Sequence, residues 1–458
     1  MRAADFGPDF TWGVASAAFQ IEGAWNVDGK RPSVWDDTGH RGRIKGGRPG
    51  WSVGDDAVDA YHRYEADLDL IADLGVGANR FSVSWPRVFG DGRGPWNDKG
   101  GDFYDRLIDA GLERGLEPWL TVHHWDLPLA LHEQGGWTRR GIVEDFAVFA
   151  EQLAQRYGDR VKNWMIFNEP LSVIGHIITG VHTRYGLHPR QALASIHHMN
   201  LAIAEAGRRM RDTLGKGHRI GTTNVFTITA PFDSTDPKLL AAQRAYDALS
   251  VGIFLDPPAG RGYPIGASSL LKPIRRYILD GDLDQVRFDF DFMGVQYYGP
   301  LPLTKFPIPG LGGLPKPSVG TAEVNVRSSV GIPVEPDGLL HILRRYRDHP
   351  ACKRMIITES GFGCNDRLER GPDGDRVRDD VRIWYLRTHL ERVKAAIDEG
   401  IPIDGFFGWS YADNIEWILG RTARFGLTYI DYDDDFRRIP KDSYHWMRRL
   451  LTDPAGVD

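Results

Sequence analysis

Two glutamates of this chain stand where chemistry, rather than packing, best explains a carboxyl group. Glu169 and Glu359 each follow an apolar run typical of a buried strand, and each lies just ahead of a residue that breaks regular structure, Pro170 and Gly361. A carboxylate at the end of a buried strand is costly to desolvate, which favours a functional role. Two such carboxyls are the minimum equipment for hydrolysing a glycosidic bond.

The elements that must position these glutamates recur along the whole chain. Eight short apolar or β-rich segments lie at 10–15, 78–84, 118–123, 163–168, 219–224, 292–297, 354–358 and 403–410. Between them, residues 61–74, 146–157 and 193–204 carry apolar side chains at helical intervals of three and four. Strand and helix alternating eight times predict a (β/α)8 TIM barrel of the α/β class. The continuous apolar runs suit parallel strands that are buried on both faces.

No shift in composition and no flexible linker divides the chain. We therefore expect residues 1–458 to form a single barrel domain with extended loops after the strands. One stretch, at about 299–338, is rich in Gly and Pro and lacks periodicity, which predicts a long loop.

The bulk composition excludes several classes of protein. Hydrophobic residues make up 41% and charged residues 26%, and the net charge is −6 with Lys and Arg dispersed, so nucleic acid is not an expected partner. No uncharged run is long enough to span a membrane, and the N-terminal residues lack the apolar stretch of a signal peptide. The two cysteines, Cys352 and Cys364, are too few for a disulfide scaffold and lack metal-type spacing. These features predict a cytoplasmic protein.

Polar and aromatic residues concentrate at the ends of the predicted strands. In a parallel barrel these ends converge on one face, which we call the mouth. The residues are Gln20, Glu22, Arg80, His123, His124, Trp125, Asp126, Asn168, Glu169, Gln296, Tyr297, Tyr298, Glu359, Trp409, Glu416 and Trp417. A structural role could account for any one of them, but their convergence on one mouth favours a binding or catalytic site.

These segments resemble the family 1 glycoside hydrolases of the β-glucosidase type over nearly the whole chain. The matching motifs are Phe10-Thr11-Trp12-Gly13, Phe19-Gln20-Ile21-Glu22-Gly23-Ala24, Arg80-Phe81-Ser82-Val83-Ser84-Trp85-Pro86-Arg87, His124-Trp125-Asp126-Leu127-Pro128, Asn168-Glu169-Pro170, Thr358-Glu359-Ser360-Gly361, Trp409-Ser410, Asp413-Asn414, Glu416-Trp417, Arg424-Phe425-Gly426-Leu427 and Lys441-Asp442-Ser443. The occurrence of all these motifs in the family's order identifies the family far more specifically than any single motif does.

The resemblance implies a retaining β-glycosidase that works through a covalent glycosyl-enzyme. Glu359 would be the nucleophile and Glu169 the acid/base, with carboxyls about 5–5.5 Å apart. At that separation like charges drive the two pKa values apart. By the same resemblance Arg80 would keep Glu359 ionised, Tyr298 would orient it, and Asn168 would bind the sugar 2-OH.

The resemblance also assigns the remaining sugar contacts and implies neither a cofactor nor a metal. The substrate-binding positions are Gln20, His124, Asn168, Trp409, Glu416, Trp417 and Phe425. Trp409 would supply the flat face under the ring. The branch that acts on 6-phosphorylated sugars is expected to have a small residue in place of Glu416 and a nearby lysine. The carboxylate of Glu416 would repel a phosphate, so unphosphorylated β-D-glucosides or related β-glycosides are implied.

The chain departs from the family's usual residues at four positions. Gln296 and Ser360 each replace Asn, His123 replaces Tyr or Phe, and Leu171 replaces Trp. These changes cluster outside the core sugar contacts. They suggest a leaving group unlike a second glucose.

Three other functions compete with hydrolysis of a glycoside. A metal hydrolase on the same barrel would need ligand spacing such as His-x-His, whereas His123-His124 and His197-His198 are adjacent pairs whose side chains diverge. A non-catalytic sugar-binding protein would have no reason to retain both glutamates. A transglycosidase, in which an acceptor other than water captures the intermediate, stays open. Glucose, galactose or fucose preference also stays open, as does the oligomeric state, with a homo-oligomer as one alternative.

Overall fold

A computed structural model describes residues 1–182, 189–228, 235, 237–300, 326–372 and 374–457. Its strands are β1 Thr11–Ala15, β2 Ala78–Ser82, β3 Glu117–His123, β4 Asn163–Asn168, β5 Arg219–Val225, β6 Phe292–Gln296, β7 Met355–Ser360, β8 Leu368–Gly371, β9 Gly374–Val377, β10 Ile403–Trp409, β11 Thr428–Asp431 and β12 Arg437–Pro440. Strands β1 to β7 and β10 close a parallel barrel in sequence order, with β10 beside β1. The predicted TIM barrel is therefore confirmed, and all eight predicted segments form its strands.

Helices cover the barrel and connect its strands. They are α1 Ala18–Ile21, α2 Val34–His40, α3 Ala60–Asp73, α4 Trp85–Val88, α5 Asp98–Glu113, α6 Leu129–Glu133, α7 Ile142–Tyr157, α8 Pro170–Thr179, α9 Pro189–Leu214, α10 Pro237–Asp247, α11 Ile253–Leu255, α12 Asp282–Gln285, α13 Pro336–Tyr346, α14 Asp380–Asp398 and α15 Asp442–Thr452. The three helical stretches predicted from periodicity are α3, α7 and α9. Two antiparallel hairpins, β8–β9 and β11–β12, extend the loops.

The barrel interior is a packed core rather than a pore. Its side chains come from seven strands and are Ala15, Ala78, Trp119, Met165, Phe292, Ile356 and Phe407, with Trp409 and Phe425 in the same cluster. Glycines make room for the aromatic rings. A Cβ on Gly13 would lie 2.3 Å from the Phe407 ring, and one on Gly221 would lie 2.6 Å from the Phe292 ring. Because interiors are close-packed, small and large residues must alternate between neighbouring strands in this way.

The predicted loop at about 299–338 lies mostly outside the described residues, which resume at 326. Arg327 then pairs with Pro333 in an isolated bridge, and α13 begins at Pro336. Proline suits the first helical position because its missing N–H would have no partner there. None of the described helices is long and apolar enough to cross a membrane.

A buried ion network ties together the loops that approach the mouth from β7 and β10. Lys441 Nζ lies 2.5 Å from Asp366 Oδ2 and 2.6 Å from Asp413 Oδ1. Arg382 donates to Asp366 at 2.7 Å and also pairs with Asp379. Burial alone would raise the pKa of Asp366, but Lys441 and Arg382 hold it below its usual value. The segments that carry Trp409, Glu416 and Phe425 are anchored by this network.

Candidate active site

Arg80 is the centre of the charged groups at the mouth. It is fully buried on β2, and its guanidinium reaches the ends of three other strands. Nη1 donates to Glu359 Oε1 at 2.6 Å and to the Thr358 carbonyl at 3.0 Å. Nη2 donates to Asn168 Oδ1 at 2.6 Å, and Nε to Thr121 Oγ1 at 3.2 Å. One cation therefore links the ends of β3, β4 and β7.

Both oxygens of Glu359 accept a hydrogen bond. Besides the bond from Arg80, the Tyr298 hydroxyl donates to Oε2 at 2.7 Å. Burial raises the pKa of Glu359, while Arg80 and Tyr298 act against that rise by stabilising the ionised form. The arrangement favours a carboxylate held in one orientation.

Glu169 is buried too, but its surroundings differ. The bond that the structure gives its carboxyl comes from Ser172, whose Oγ donates to Oε2 at 2.6 Å. Among the described residues it forms no ion pair. Burial, and then the negative charge of Glu359, raise its pKa to about 8. Because Arg80 contacts Glu359, a proton shared by these two carboxyls belongs on Glu169.

Asn168 lies between the charged pair and a neutral histidine. Its Oδ1 accepts from Gln296 Nε2 at 2.8 Å as well as from Arg80. Its Nδ2 donates to His124 Nε2 at 3.1 Å. Burial lowers the pKa of His124 well below its usual value. Since Nε2 accepts, the neutral ring carries its proton on Nδ1, which can donate to a ligand.

Several buried polar atoms beside these groups have no protein partner among the described residues. They are Gln20 Oε1, His124 Nδ1, Gln296 Oε1 and Glu416 Oε2. Burial, and then the charge of Glu359, raise the pKa of Glu416 to about 8. Buried polar groups are nearly always paired in folded proteins, so such a set indicates a ligand with several hydroxyl groups.

Aromatic rings flank this polar set. His124 stacks with both Trp409 and Trp417, with ring centroids 5.8 Å and 5.9 Å away. Phe425 meets the Tyr298 ring edge-on at 6.1 Å. Flat apolar faces beside hydroxyl-binding groups suit a sugar ring.

Three non-glycine residues at the mouth have left-handed backbone conformations. Glu169 has φ of 43°, Trp125 of 78° and Trp417 of 43°. Such conformations are costly for these residue types and cluster at functional sites. At Glu169 the left-handed conformation marks the point where the backbone leaves β4 and enters α8. The carboxyl group of Glu169 is buried at the mouth.

The family comparison decides the identity. The model of glycosyl hydrolase family 1 matches residues 2–454. The chain belongs to glycosyl hydrolase family 1. Like its relatives it is an O-glycosyl hydrolase of the β-glucosidase type, which confirms the predicted family and class of enzyme.

Relatives of this family 1 enzyme differ in the substrates their names state. Beta-glucosidase A of Thermotoga maritima is 36% identical over 458 residues, with 98% of each chain covered. An aryl-phospho-beta-D-glucosidase of Bacillus subtilis is also 36% identical, with 97% of each chain covered. The solved structure of a psychrophilic beta-glucosidase from Micrococcus antarcticus is 37% identical and matches with a TM-score of 0.86, covering 98% of this chain and 97% of that one.

The structure brings together the residues that the resemblance assigned to the site. Three other side chains expected at the mouth have partners elsewhere: Glu22 pairs with Arg87, Tyr297 donates to the Glu335 carbonyl, and His123 packs against Phe167.

Contacts around Asn168 and Glu169 involve residues to which no role was assigned. Trp125 donates from its indole to the Asn168 carbonyl at 2.8 Å and packs on Trp417 at 4.3 Å. Gln296, predicted only as a departure from the family 1 pattern, contacts Asn168 directly. Ser172 was not singled out, although a hydroxyl three residues after Glu169, one helical turn away, is a signal that could have found it.

Proposed function

We propose that this protein is a retaining β-glycosidase that hydrolyses unphosphorylated β-D-glucosides or related β-glycosides. In the first step Glu169 gives its proton to the glycosidic oxygen while Glu359 attacks the anomeric carbon. In the second step Glu169 takes a proton from water, and that water displaces Glu359 from the sugar. Each step inverts the anomeric carbon, so the two together retain its configuration.

The observation that carries this proposal is that the two buried carboxyls differ in their hydrogen bonds and in the charges around them. Glu359 accepts from Arg80 and Tyr298, which suits a carboxylate that must attack. Glu169 has a raised pKa of about 8 and no ion pair among the described residues, which suits a proton donor at neutral pH. The proposed division of roles follows from that asymmetry.

The sugar contacts are proposed from the unpaired polar atoms and the aromatic faces. Asn168, held by Arg80 and Gln296, would meet the 2-OH. The other proposed contacts are Gln20, His124, Glu416 and Trp417 for the remaining hydroxyls, and Trp409 and Phe425 for the apolar faces of the ring.

Glu416 supports an unphosphorylated substrate. Its buried carboxyl occupies the position at which a phosphate-binding branch is expected to have a small residue, and no described ion pair places a cation against it. With its pKa raised to about 8, Glu416 is largely neutral at pH 7 and supplies no cation for a phosphate. At higher pH it adds a charge of the same sign, which costs several kcal/mol, about 100-fold or more in kcat/KM. Comparing an aryl β-glucoside with its 6-phosphate tests this, and equal kcat/KM for the two would contradict it.

A cavity beside Trp125 supports a flat, uncharged leaving group. Its volume is about 180 Å³, and its lining residues are Val34, Trp125, Leu127, His132, Gly135, Trp137, Thr138, Val173, His176, Ile177, His182 and Gln191. None of the described residues that line it is acidic, Lys or Arg. Burial lowers the pKa of all three histidines, to about 4 for His176, so they are neutral at pH 7. An engineered apolar cavity of about 150 Å³ can hold benzene, so one aromatic ring is a reasonable occupant.

The choice of leaving group can be measured directly. We expect higher kcat/KM for an aryl β-glucoside than for cellobiose. Val173→Phe, which fills the cavity from α8, should lower kcat/KM for the aryl substrate more than for methyl β-glucoside. A strong preference for cellobiose would contradict the proposal.

Azide rescue tests the mechanism. Glu359→Gly and Glu169→Ala are assayed on an activated aryl β-glucoside with and without azide. We expect azide to restore turnover in both, giving the α-glycosyl azide from the first variant and the β-glycosyl azide from the second. Turnover close to that of the wild type in either variant without azide would contradict the assigned roles.

Other features stay predictions. Transfer to an acceptor other than water shares the first step with hydrolysis, and product analysis with added alcohols distinguishes the two. The single domain and the cytoplasmic location are also predictions, the latter supported by the two free cysteines, Cys352 and Cys364. A homo-oligomer stays an open alternative that a measured molar mass would resolve.

A further inference from the structure

The carboxyl of Glu169 is held by a hydroxyl from its own helix. Glu169 is the N-cap residue of α8, yet its side chain does not cap the helix. Ser172, at the third helical position, donates its backbone N–H to the Glu169 carbonyl at 3.0 Å and its hydroxyl to Oε2 at 2.6 Å. In ordinary N-terminal capping the backbone N–H of the third helical residue donates to the N-cap side chain, whereas here the hydroxyl of that residue donates instead.

This contact makes the two oxygens of Glu169 different. Oε2 accepts the hydroxyl hydrogen, while none of the described hydrogen bonds involves Oε1. We propose that Ser172 is a positioning residue, which keeps Oε2 as an acceptor and so leaves Oε1 to carry the proton to the glycosidic oxygen. This inference rests on the proposed acid/base role of Glu169.

The proton balance is simple, since Ser172 keeps its own hydrogen throughout. In the first step the Oε1 proton moves to the glycosidic oxygen as the bond from that oxygen to the anomeric carbon breaks and the bond to Glu359 forms. In the second step Oε1 takes a proton from water as the water oxygen bonds to the anomeric carbon and the bond to Glu359 breaks. Oε2 accepts from Ser172 in both protonation states.

The hydrogen bond strengthens as the reaction proceeds. Before proton transfer Ser172 donates to a neutral carboxylic acid, and afterwards it donates to a carboxylate. Charge-assisted hydrogen bonds are roughly twice as strong as neutral ones. An interaction that is stronger in the transition state than in the ground state accelerates the step. The Ser172 hydroxyl should therefore raise the rate of the first step most for a leaving group that must be protonated.

Ser172→Ala is the test variant, because alanine favours a helix and should leave α8 intact. We measure kcat/KM for 2,4-dinitrophenyl β-glucoside, whose leaving group needs no proton, and for phenyl β-glucoside, whose leaving group needs one. The expected loss on the phenyl substrate is about tenfold, as for one hydrogen bond to a charged group. Little change is expected on the dinitrophenyl substrate, and the alkaline limb of the pH profile should move to higher pH.

Two further variants serve as controls. Ser172→Thr retains the hydroxyl and should keep the wild-type ratio of the two substrates. Thr179→Ala removes an exposed hydroxyl from the same helix, one that bonds the Gly175 carbonyl, and should leave both rates unchanged. The inference would be overturned if Ser172→Ala lost kcat/KM equally on both substrates. It would also be overturned if Ser172→Thr lost as much kcat/KM on the phenyl substrate as Ser172→Ala does.

Glu169→Ala, measured in parallel, separates this inference from the proposed function. If Glu169→Ala loses far more activity on the phenyl than on the dinitrophenyl substrate but Ser172→Ala does not, only the role of Ser172 is wrong. If neither variant distinguishes the two substrates, the acid/base role of Glu169 is wrong as well.

Discussion

His123 is a buried histidine in an aromatic cage, and replacing it with Phe should stabilise the protein most at acid pH. Its ring is fully buried at the end of β3 and lies 4.8 Å from Phe167 and 5.5 Å from Trp137, centroid to centroid. Neither ring nitrogen has a hydrogen-bond partner among the described residues. Leaving a buried polar group unpaired costs about 1–3 kcal/mol, so a phenyl ring of similar shape should be favourable at any pH.

The pH dependence of this gain follows from the pKa. Burial lowers the pKa of His123 from 6.5 to about 3. Below pH 6.5 the unfolded chain binds a proton that the folded chain takes up only near pH 3, so the free energy of unfolding falls as the pH drops. At about 1.4 kcal/mol per pH unit, His123 accounts for a loss of about 2 kcal/mol between pH 8 and pH 5. The His123→Phe variant should not show that loss.

Reversible denaturant unfolding at pH 8 and pH 5 measures the effect. The gain of His123→Phe over the wild type should be larger at pH 5 by about 2 kcal/mol, because the other titrating groups cancel in the difference. Replacing the exposed His445 with Phe, measured at the same two pH values, is the matched control for introducing a phenyl ring in place of a histidine. An equal gain from His123→Phe at both pH values would refute the reasoning.

Three further predictions concern the ion network and the site. Lys441→Met should lower the free energy of unfolding by about 3 kcal/mol in denaturant titrations, because it removes one of the two cations that pair with each of the buried carboxylates Asp366 and Asp413. Gln296→Ala removes a donor to Asn168 and should lower kcat/KM by about tenfold for a glucoside. The same variant should cost much less on a 2-deoxyglucoside, which lacks the hydroxyl that Asn168 is proposed to bind. In the wild type, kcat/KM should fall as the pH rises through about 8, where Glu169 loses its proton; a flat profile there would contradict its acid role.

The barrel and the position of its site were predictable from the sequence because their signals are local. Each strand is a continuous apolar run, and Glu169 and Glu359 stand at the ends of two such runs. Parallel strands that close a barrel bring all their carboxyl ends to one mouth. The order of the segments was therefore enough to place Arg80 and Glu359 at the same mouth, whereas the contact between them was expected from the resemblance to family 1.

The contacts between individual side chains were not predictable in the same way. Whether Gln296 could reach the partner of the usual Asn depended on sub-ångström placement, and the structure gives it a 2.8 Å bond to Asn168. The bond from Ser172 to Glu169 depends on the left-handed conformation of Glu169, which no composition pattern reveals. The start of α13 at Pro336 lies inside a stretch whose Pro and Gly content predicted a loop.

Trapping the covalent intermediate tests the central claim most directly. A 2-deoxy-2-fluoro-β-glucoside with an activated leaving group should form the glycosyl-enzyme and release it slowly, since fluorine removes the 2-OH contact and destabilises the charge that develops at the anomeric carbon. Mass spectrometry should show one added fluoroglucosyl group per chain, and peptide mapping should place it on Glu359. Continued turnover without a covalent adduct, or an adduct on a different carboxyl, would contradict the account.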